Sequence, residues 1–198
     1  MSGDELQTVW AELLPGGAGG RLERVGTGRV VLAVDPSSTC TGYAVFDGAT
    51  LREAGRLRPR SEEGAMVRIA TLCADLAELL AAVGPAVVVI ETTSGKVAGR
   101  LRRQGVSGLA VYGMAVGALW REAVFWAQVK PERSVALVAE NVWTAGVPKG
   151  RRLALAARLY PQYQGERDKG GDAGDAIMLG RWWIERNSGA EAVRCDEV

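Results

Sequence analysis

The run AVVVIE, residues 86–91, constrains the fold more than any other stretch of the chain. It is nearly all β-branched, and nothing polar interrupts it before its last residue. A strand with one wet face alternates apolar and polar residues. A strand without alternation is buried on both faces, the condition of a strand paired in parallel inside a covered sheet. Helices must then lie on both sides of it. RVVLAVD, residues 29–35, is a second short apolar strand, and each run ends on a carboxylate, Glu91 and Asp35.

The flanking sequence supplies the rest of a sheet. TGYAVFDG (41–48) alternates well enough to be the antiparallel neighbour of the first strand, and LREAGRLR (51–58) is a third. Ser61 is an N-cap candidate with Glu62 and Glu63 in the first turn. Beyond it Met66, Ile69, Leu72, Cys73, Leu76, Leu79, Leu80 and Val83 recur at helical spacing until Gly84-Pro85. A Gly/Arg/Lys-rich loop (94–105) precedes a second long helix, Ser107 to Val129, apolar almost all round. SVALVAE (134–140) reads as a fifth strand, and helices follow near 150–160 and 172–187. Hairpins first and crossovers later predict an α/β sandwich on one five-stranded mixed sheet: a three-stranded antiparallel meander plus two parallel strands, flanked by helices.

We expect this domain to occupy residues 29–187. Residues 1–28, an amphipathic piece from Asp4 to Leu14 followed by PGGAGG, form an N-terminal extension with a Gly-rich linker, and 188–198 a C-terminal tail. No apolar run approaches the ~20 residues that cross a bilayer, and Met1 to Trp10 lacks the pattern of a signal peptide, so the expected location is cytoplasmic, with no membrane partner. Cys40, Cys73 and Cys195 form no C-x-x-C pair and read as free thiols. The chain has no histidine, which excludes imidazole bases and His-ligated metals; acid–base or metal chemistry must run on carboxylates. With a net charge of only +1, any nucleic-acid surface must be a local basic patch.

Carboxylates are placed for such chemistry. In DKGGDAGDAIMLGRWW (168–183), Asp172 and Asp175 stand three apart at the start of an apolar helix. Acidic residues favour that turn on electrostatic grounds alone. Asp35 and Glu91, however, end two strands expected to be adjacent, so four acids would meet at one sheet edge. Their mutual repulsion would raise their pKa values unless cations lay among them. Mg²⁺ prefers oxygen ligands at about 2.0–2.1 Å, and two such ions clamp the attacking and leaving oxygens of a phosphodiester. Glu140 also ends an apolar strand and is the best rival ligand, kept in a supporting role; Asp47 and Asp168 read as turn residues. SGK (94–96) is no nucleotide-binding loop, because Ile90 and Val97 stand where a P-loop needs Gly and Ser or Thr. No nucleotide cofactor is expected. The D-x-x-x-T-x-T-G pattern of 35–42 is shared with actin-like ATPases, which need two such lobes and hence a longer chain.

Taken in order, LAVDPSSTCTGYAVFD, VVVIE and DAGDAIMLG resemble the RuvC-type Holliday junction resolvases of the RNase H-like superfamily, over roughly residues 29–187. The resemblance implies an RNase H-like fold and a Mg²⁺-dependent endonuclease that cuts four-way DNA symmetrically, with two ions per site and Mn²⁺ able to substitute. It implies that Asp35, Glu91, Asp172 and Asp175 bind the metals. It places Lys149 near the catalytic phosphate, and Ser37, Ser38 and Thr39 of the turn PSSTCTG as lesser contacts. One departure stands out: where these enzymes commonly carry an aromatic after the strand-four glutamate, this chain has Thr92, Thr93 and Ser94. Trp143 and Tyr112 are the aromatic candidates for stacking on bases instead.

Lys96, Arg100, Arg102 and Arg103 follow Glu91, and Lys149, Arg151 and Arg152 open a later helix. Charge runs are usually solvated faces. Flanking the acids, they are expected to contact DNA phosphates. In the long helix Gly113 and Gly117, with Ala110 and Ala118, would admit a close helix neighbour, either within the domain or across a homodimer whose two-fold axis suits a two-fold substrate. The alternatives to a junction resolvase are an RNase H-like nuclease acting on flaps, RNA or RNA–DNA hybrids, and a catalytically silent DNA-structure-binding protein.

Overall fold

A computed structural model describes residues 29–93, 97–144 and 147–187, with only the backbone described for 97–104 and 166. The strands are β1 (Val30–Asp35), β2 (Thr41–Asp47), β3 (Thr50–Leu57), β4 (Val87–Thr92) and β5 (Ser134–Ala139). The helices are α1 (Ala65–Val83), α2 (Val97–Gln128), α3 (Glu140–Thr144), α4 (Lys149–Leu159) and α5 (Asp172–Asn187), with a 3-10 turn at Gly165–Arg167. The strands form one sheet in the order β3-β2-β1-β4-β5. β1–β2 and β2–β3 are antiparallel, whereas β1–β4 and β4–β5 are parallel. The mixed five-stranded sheet read from the sequence is therefore present, and β4 is indeed buried through Glu91.

Period-two alternation divides the strand residues between two cores. Leu32, Val34, Val45, Val88 and Ile90 face α1 and α2, meeting Leu72, Leu76, Leu80, Leu119 and Ala123. Val31, Ala33, Ala44, Phe46, Val87 and Val89 face the other way, meeting Ile177, Leu179, Trp183 and Ile184 of α5 and Ala156 of α4. Asp35 and Glu91 continue the parity of residues 31 and 33 and of 87 and 89, so both belong to the α5 face.

An isolated helix of the length of α1 is marginal in water, and its stability comes from its buried stripe. Each fully buried leucine there contributes about 1.5–3 kcal/mol. Its start corrects the sequence reading. The N-cap is Gly64 without a side-chain bond, and no acid lies in the first turn, whereas the Ser61 hydroxyl bonds its neighbour Glu62. Gly84, in the left-handed region at φ 63°, ends the helix as expected.

Two further expectations change in α2. The segment expected as a loop is helical from Val97, and the break falls at Gly105, whose φ of 69° and ψ of 178° suit glycine. Beyond it the helix is not buried all round. Tyr112, Ala115, Leu119 and Ala123 form its buried stripe, while Met114 and Phe125 are exposed. A Cβ on Gly113 or Gly117 would meet open space. No helix among the described residues is long and apolar enough to cross a membrane. The extension and tail, residues 1–28 and 188–198, lie outside the described residues.

Candidate active site

β1 and β4 lie in a register that pairs Val34 with Ile90, so the next residue of each, Asp35 and Glu91, stand side by side at the strand ends. Across the other edge of β1, Asp35 is paired with Gly42 of β2. Gly42 has the parity of Ala44 and Phe46 and therefore faces α5. A Cβ there would come within 2.0 Å of the Asp172 carbonyl oxygen, so only glycine lets the start of α5 settle on the sheet. Gly180 does the same two turns on, where a Cβ would strike Phe46 and Ala33. Asp172 and Asp175 are thereby lowered onto the edge that carries Asp35 and Glu91.

The approach to α5 is held by a buried network that the sequence did not announce. The Asp168 carboxylate accepts a hydrogen bond from the Gly174 N–H at 2.9 Å and from the Tyr163 hydroxyl at 2.6 Å. Asp168 thus caps the first turn of α5 from outside the helix, beyond the turn residue it was expected to be. Arg56 of β3 donates to the carbonyls of Arg167 and Lys169, and its guanidinium is 3.5 Å from Asp168. Gly170 and Gly171, at φ 108° and 76°, make the tight turn between.

Electrostatics report how closely the acids gather. Burial, then the charges of Glu91 and Asp175, push the Asp35 carboxyl well above its usual range; Lys149 opposes this and Asp172 adds to it. Burial pulls the Lys149 ammonium down. Its hydrogen bond with Asp175 and the charges of Asp175, Asp35 and Asp172 outweigh that and hold it above its usual value. Lys149 Nζ is 2.9 Å from Asp175 Oδ2, which puts this lysine among the acids.

Arg152 departs from its expected role. It is buried, its Nε donates to Asp175 Oδ1 at 2.9 Å, and its guanidinium also donates to the Val147 carbonyl at 2.8 Å. It is spent inside the protein and offers nothing to a DNA phosphate, whereas Arg151 beside it is exposed. Trp143 and Tyr112 are likewise buried, so neither offers an open ring face for base stacking. The Trp143 indole instead donates to Glu91 Oε2 at 3.0 Å, and Arg152 lies over its ring at 5.0 Å. Burial of Trp143 had a sequence signal in its place after an apolar strand. Its bond to Glu91, 52 residues away, had none.

The turn after β1 is knitted locally. The Ser37 N–H donates to Thr41 Oγ1 at 3.2 Å, the Thr41 hydroxyl donates back to the Ser37 carbonyl at 3.0 Å, and the Ser37 and Thr39 hydroxyls are 3.3 Å apart. Two basic residues missed in the sequence border it. Arg68 of α1 donates to the Ser38 carbonyl at 3.1 Å, and Arg58 Nε is 3.3 Å from Cys40 Sγ. Cys40 and Cys73 are free thiols; burial raises Cys40, a bond from Arg58 lowers it, and Asp172 raises it again. Among the rivals, Asp47 pairs with Arg52 away from the acids, and Glu140 opens α3. Lys96 and Ser94 lie outside the described residues, as do the side chains of Arg100, Arg102 and Arg103, whose backbone is in α2.

Among the described residues, no three acidic, histidine or cysteine side chains stand at the spacing of a ready-made metal cage. The donor set still suits a hard divalent ion. It is all oxygen, and burial, then repulsion from Glu91 and Asp175, raises Asp35 well above its usual range; a cation between the acids would offset the repulsive part of that penalty. Asp175 is the exception, already neutralised by two basic side chains.

No protein-family model matches the chain, and no curated protein matches it in sequence. Among solved structures it is similar to T. thermophilus RuvC in complex with Holliday junction substrate, at 18% identity and a TM-score of 0.62, covering 81% of this chain and 97% of that one. It is also similar to the yeast mitochondrial Holliday junction resolvase Ydc2, at 12% identity and a TM-score of 0.58, covering 82% of this chain and 80% of that one. These likenesses, with the mixed sheet in the order β3-β2-β1-β4-β5, show the fold: the chain has the RNase H-like fold, shared with those two structures.

Proposed function

We propose that the protein is a Mg²⁺-dependent endonuclease that resolves four-way DNA junctions by hydrolysing phosphodiesters at symmetric positions. The observation that carries this reading is the gathering of Asp35, Glu91, Asp172 and Asp175, with Lys149 beside Asp175 and within reach of the charges of Asp35 and Asp172, at the end of a sheet shared with structures named as resolvases. In this reading Asp35, Glu91, Asp172 and Asp175 would hold divalent ions, two per site, and such ions would supply charge stabilisation for phosphodiester hydrolysis. Mn²⁺ would replace Mg²⁺, since both take oxygen donors.

The chain's own residues do the rest. Glu91 is oriented by the Trp143 N–H, and Asp172 and Asp175 by the Asp168 cap and the Gly42 contact. Lys149, half exposed and adjacent to the acids, would meet a phosphate oxygen. Arg151, with Arg58 and Arg60 on the β3 side, offers exposed positive charge for the arms of the substrate. The exposed α2 face around Gly113, Gly117, Met114 and Phe125 would join two copies, matching a two-fold site to a two-fold junction.

The test is a cleavage panel with Mg²⁺: fixed and mobile four-way junctions, duplex, flap and RNA–DNA hybrid. Paired nicks in the four-way substrates, with the others spared, are expected. Preferential cutting of flaps or hybrids would replace the reading with the broader nuclease. Tight junction binding without any cutting would leave a structure-binding protein.

A further inference from the structure

Of the two basic side chains that neutralise Asp175, one is placed to move and the other is not. The side chain of Lys149 is 45% exposed, on a flexible stem. That of Arg152 is 11% exposed and held by three partners: Asp175 Oδ1 at 2.9 Å, the Val147 carbonyl at 2.8 Å and the Trp143 ring at 5.0 Å. Trp143 in turn bonds Glu91. A guanidinium and an indole thus bridge two acids that come from different parts of the fold, β4 and α5.

We infer that Arg152 is a positioning residue with a second effect: by occupying Asp175 it competes with a divalent ion for that carboxylate and so weakens ion binding at the site. This rests on the metal-dependent reading above. Two cations that claim one carboxylate are linked reciprocally, so whatever the ion costs Arg152, Arg152 costs the ion. The planar guanidinium gives one N–H to Asp175 and another to the Val147 carbonyl, so it holds the carboxylate in direction as well as charge, which the single nitrogen of a lysine does less well. In the metal-free protein it keeps a buried carboxylate paired; when an ion arrives, Asp175 must share or exchange partners.

The competition has a signature that a merely structural arginine does not. Removing a structural residue loosens the site, and ion affinity falls together with stability. Removing a competitor lowers metal-free stability while ion affinity rises. Mn²⁺ binding to the full chain should be measured by calorimetry, alongside thermal unfolding in EDTA, for the parent, Arg152→Met, Arg152→Gln and Arg152→Lys. Arg152→Met should bind Mn²⁺ about tenfold more tightly, within the usual range for coupled ligands, and unfold at lower temperature without metal. Arg152→Gln, which keeps a neutral donor toward Asp175, should tighten binding in the same sense and serves if the methionine variant does not fold. Arg152→Lys should return the affinity toward the parent value. Unchanged or weaker Mn²⁺ binding in both neutral variants, with a parent that binds normally, would overturn the role of Arg152 alone. A folded parent that binds no Mn²⁺ would overturn the metal reading, and this inference with it.

Discussion

The two faces of the sheet are made by the same strands and finished differently. Toward α1 and α2 the core is aliphatic to its end, with Leu72, Leu76, Leu80, Leu119, Val88 and Ile90 fully buried or nearly so. Toward α4 and α5 the core begins with Val31, Ala33 and Phe46 and ends in buried charge: Glu91, Asp175, Arg152 and Asp168. Burying charge costs stability unless every group is paired, and even good pairs roughly break even. The first face therefore holds the fold, and the second spends part of that stability on a site. Stability and function should separate by face when either is perturbed.

The largest change in stability is expected on the aliphatic face. Leu76 is fully buried, so Leu76→Ala should cost about 2–5 kcal/mol by chemical denaturation. Cleavage per folded molecule should stay at the parent rate. A variant that kept its stability and lost its rate would erase the distinction between the faces.

On the charged face the sign reverses. The Asp35 carboxyl is raised in the fold, mainly by burial and then by Glu91 and Asp175. A raised carboxyl is protonated more readily in the folded than in the unfolded chain. Its contribution is present below the ordinary carboxylate range and is lost as pH rises through the folded value. At neutral pH in EDTA, Asp35→Asn should therefore raise the midpoint of thermal unfolding. Each 1 kcal/mol relieved is worth about 2–4 °C in a domain of this size. The gain should fade as pH is lowered and, on the metal-dependent reading, be reduced or reversed by Mg²⁺, which would supply countercharge to the parent's acids. A variant less stable than the parent in EDTA would show that Asp35 is already well compensated.

The smallest effect on stability belongs to the outer side of α2. Gly117 faces open space, so Gly117→Leu should leave unfolding within about 0.5 kcal/mol of the parent. It should still shift sedimentation from dimer to monomer and convert a cruciform plasmid to nicked circles where the parent gives linear product. A dimeric, linearising Gly117→Leu would move the pairing surface elsewhere.

Much of this was legible because period two is unforgiving. Once 29–35 and 86–91 are strands, Asp35 and Glu91 follow on adjacent ends, and the DAGDA helix start brings the other two acids. What failed to show depended on partners distant in sequence. Arg152 reads as one of a charge run because Asp175, which buries it, lies 23 residues on. The indole bond to Glu91 and the Arg56 hold on residues 167–169 are of the same kind. The segment 97–104 reads as loop because its glycine and arginines carry no apolar period, yet it is helical up to the positive-φ turn at Gly105. Local errors, such as Ser61 in place of Gly64, cost nothing further on, since the leucine stripe sets α1 whatever caps it.

The central claim is that the acids at the end of β1, β4 and α5 make one metal-dependent site. Single-turnover cleavage of a four-way junction, read with junction binding in the same samples, tests it most directly. Parent enzyme in Mg²⁺ should cut, while parent enzyme in EDTA and Asp35→Asn in Mg²⁺ should bind the junction within a modest factor of the parent and not cut. Full cutting in EDTA, or by Asp35→Asn, would contradict it.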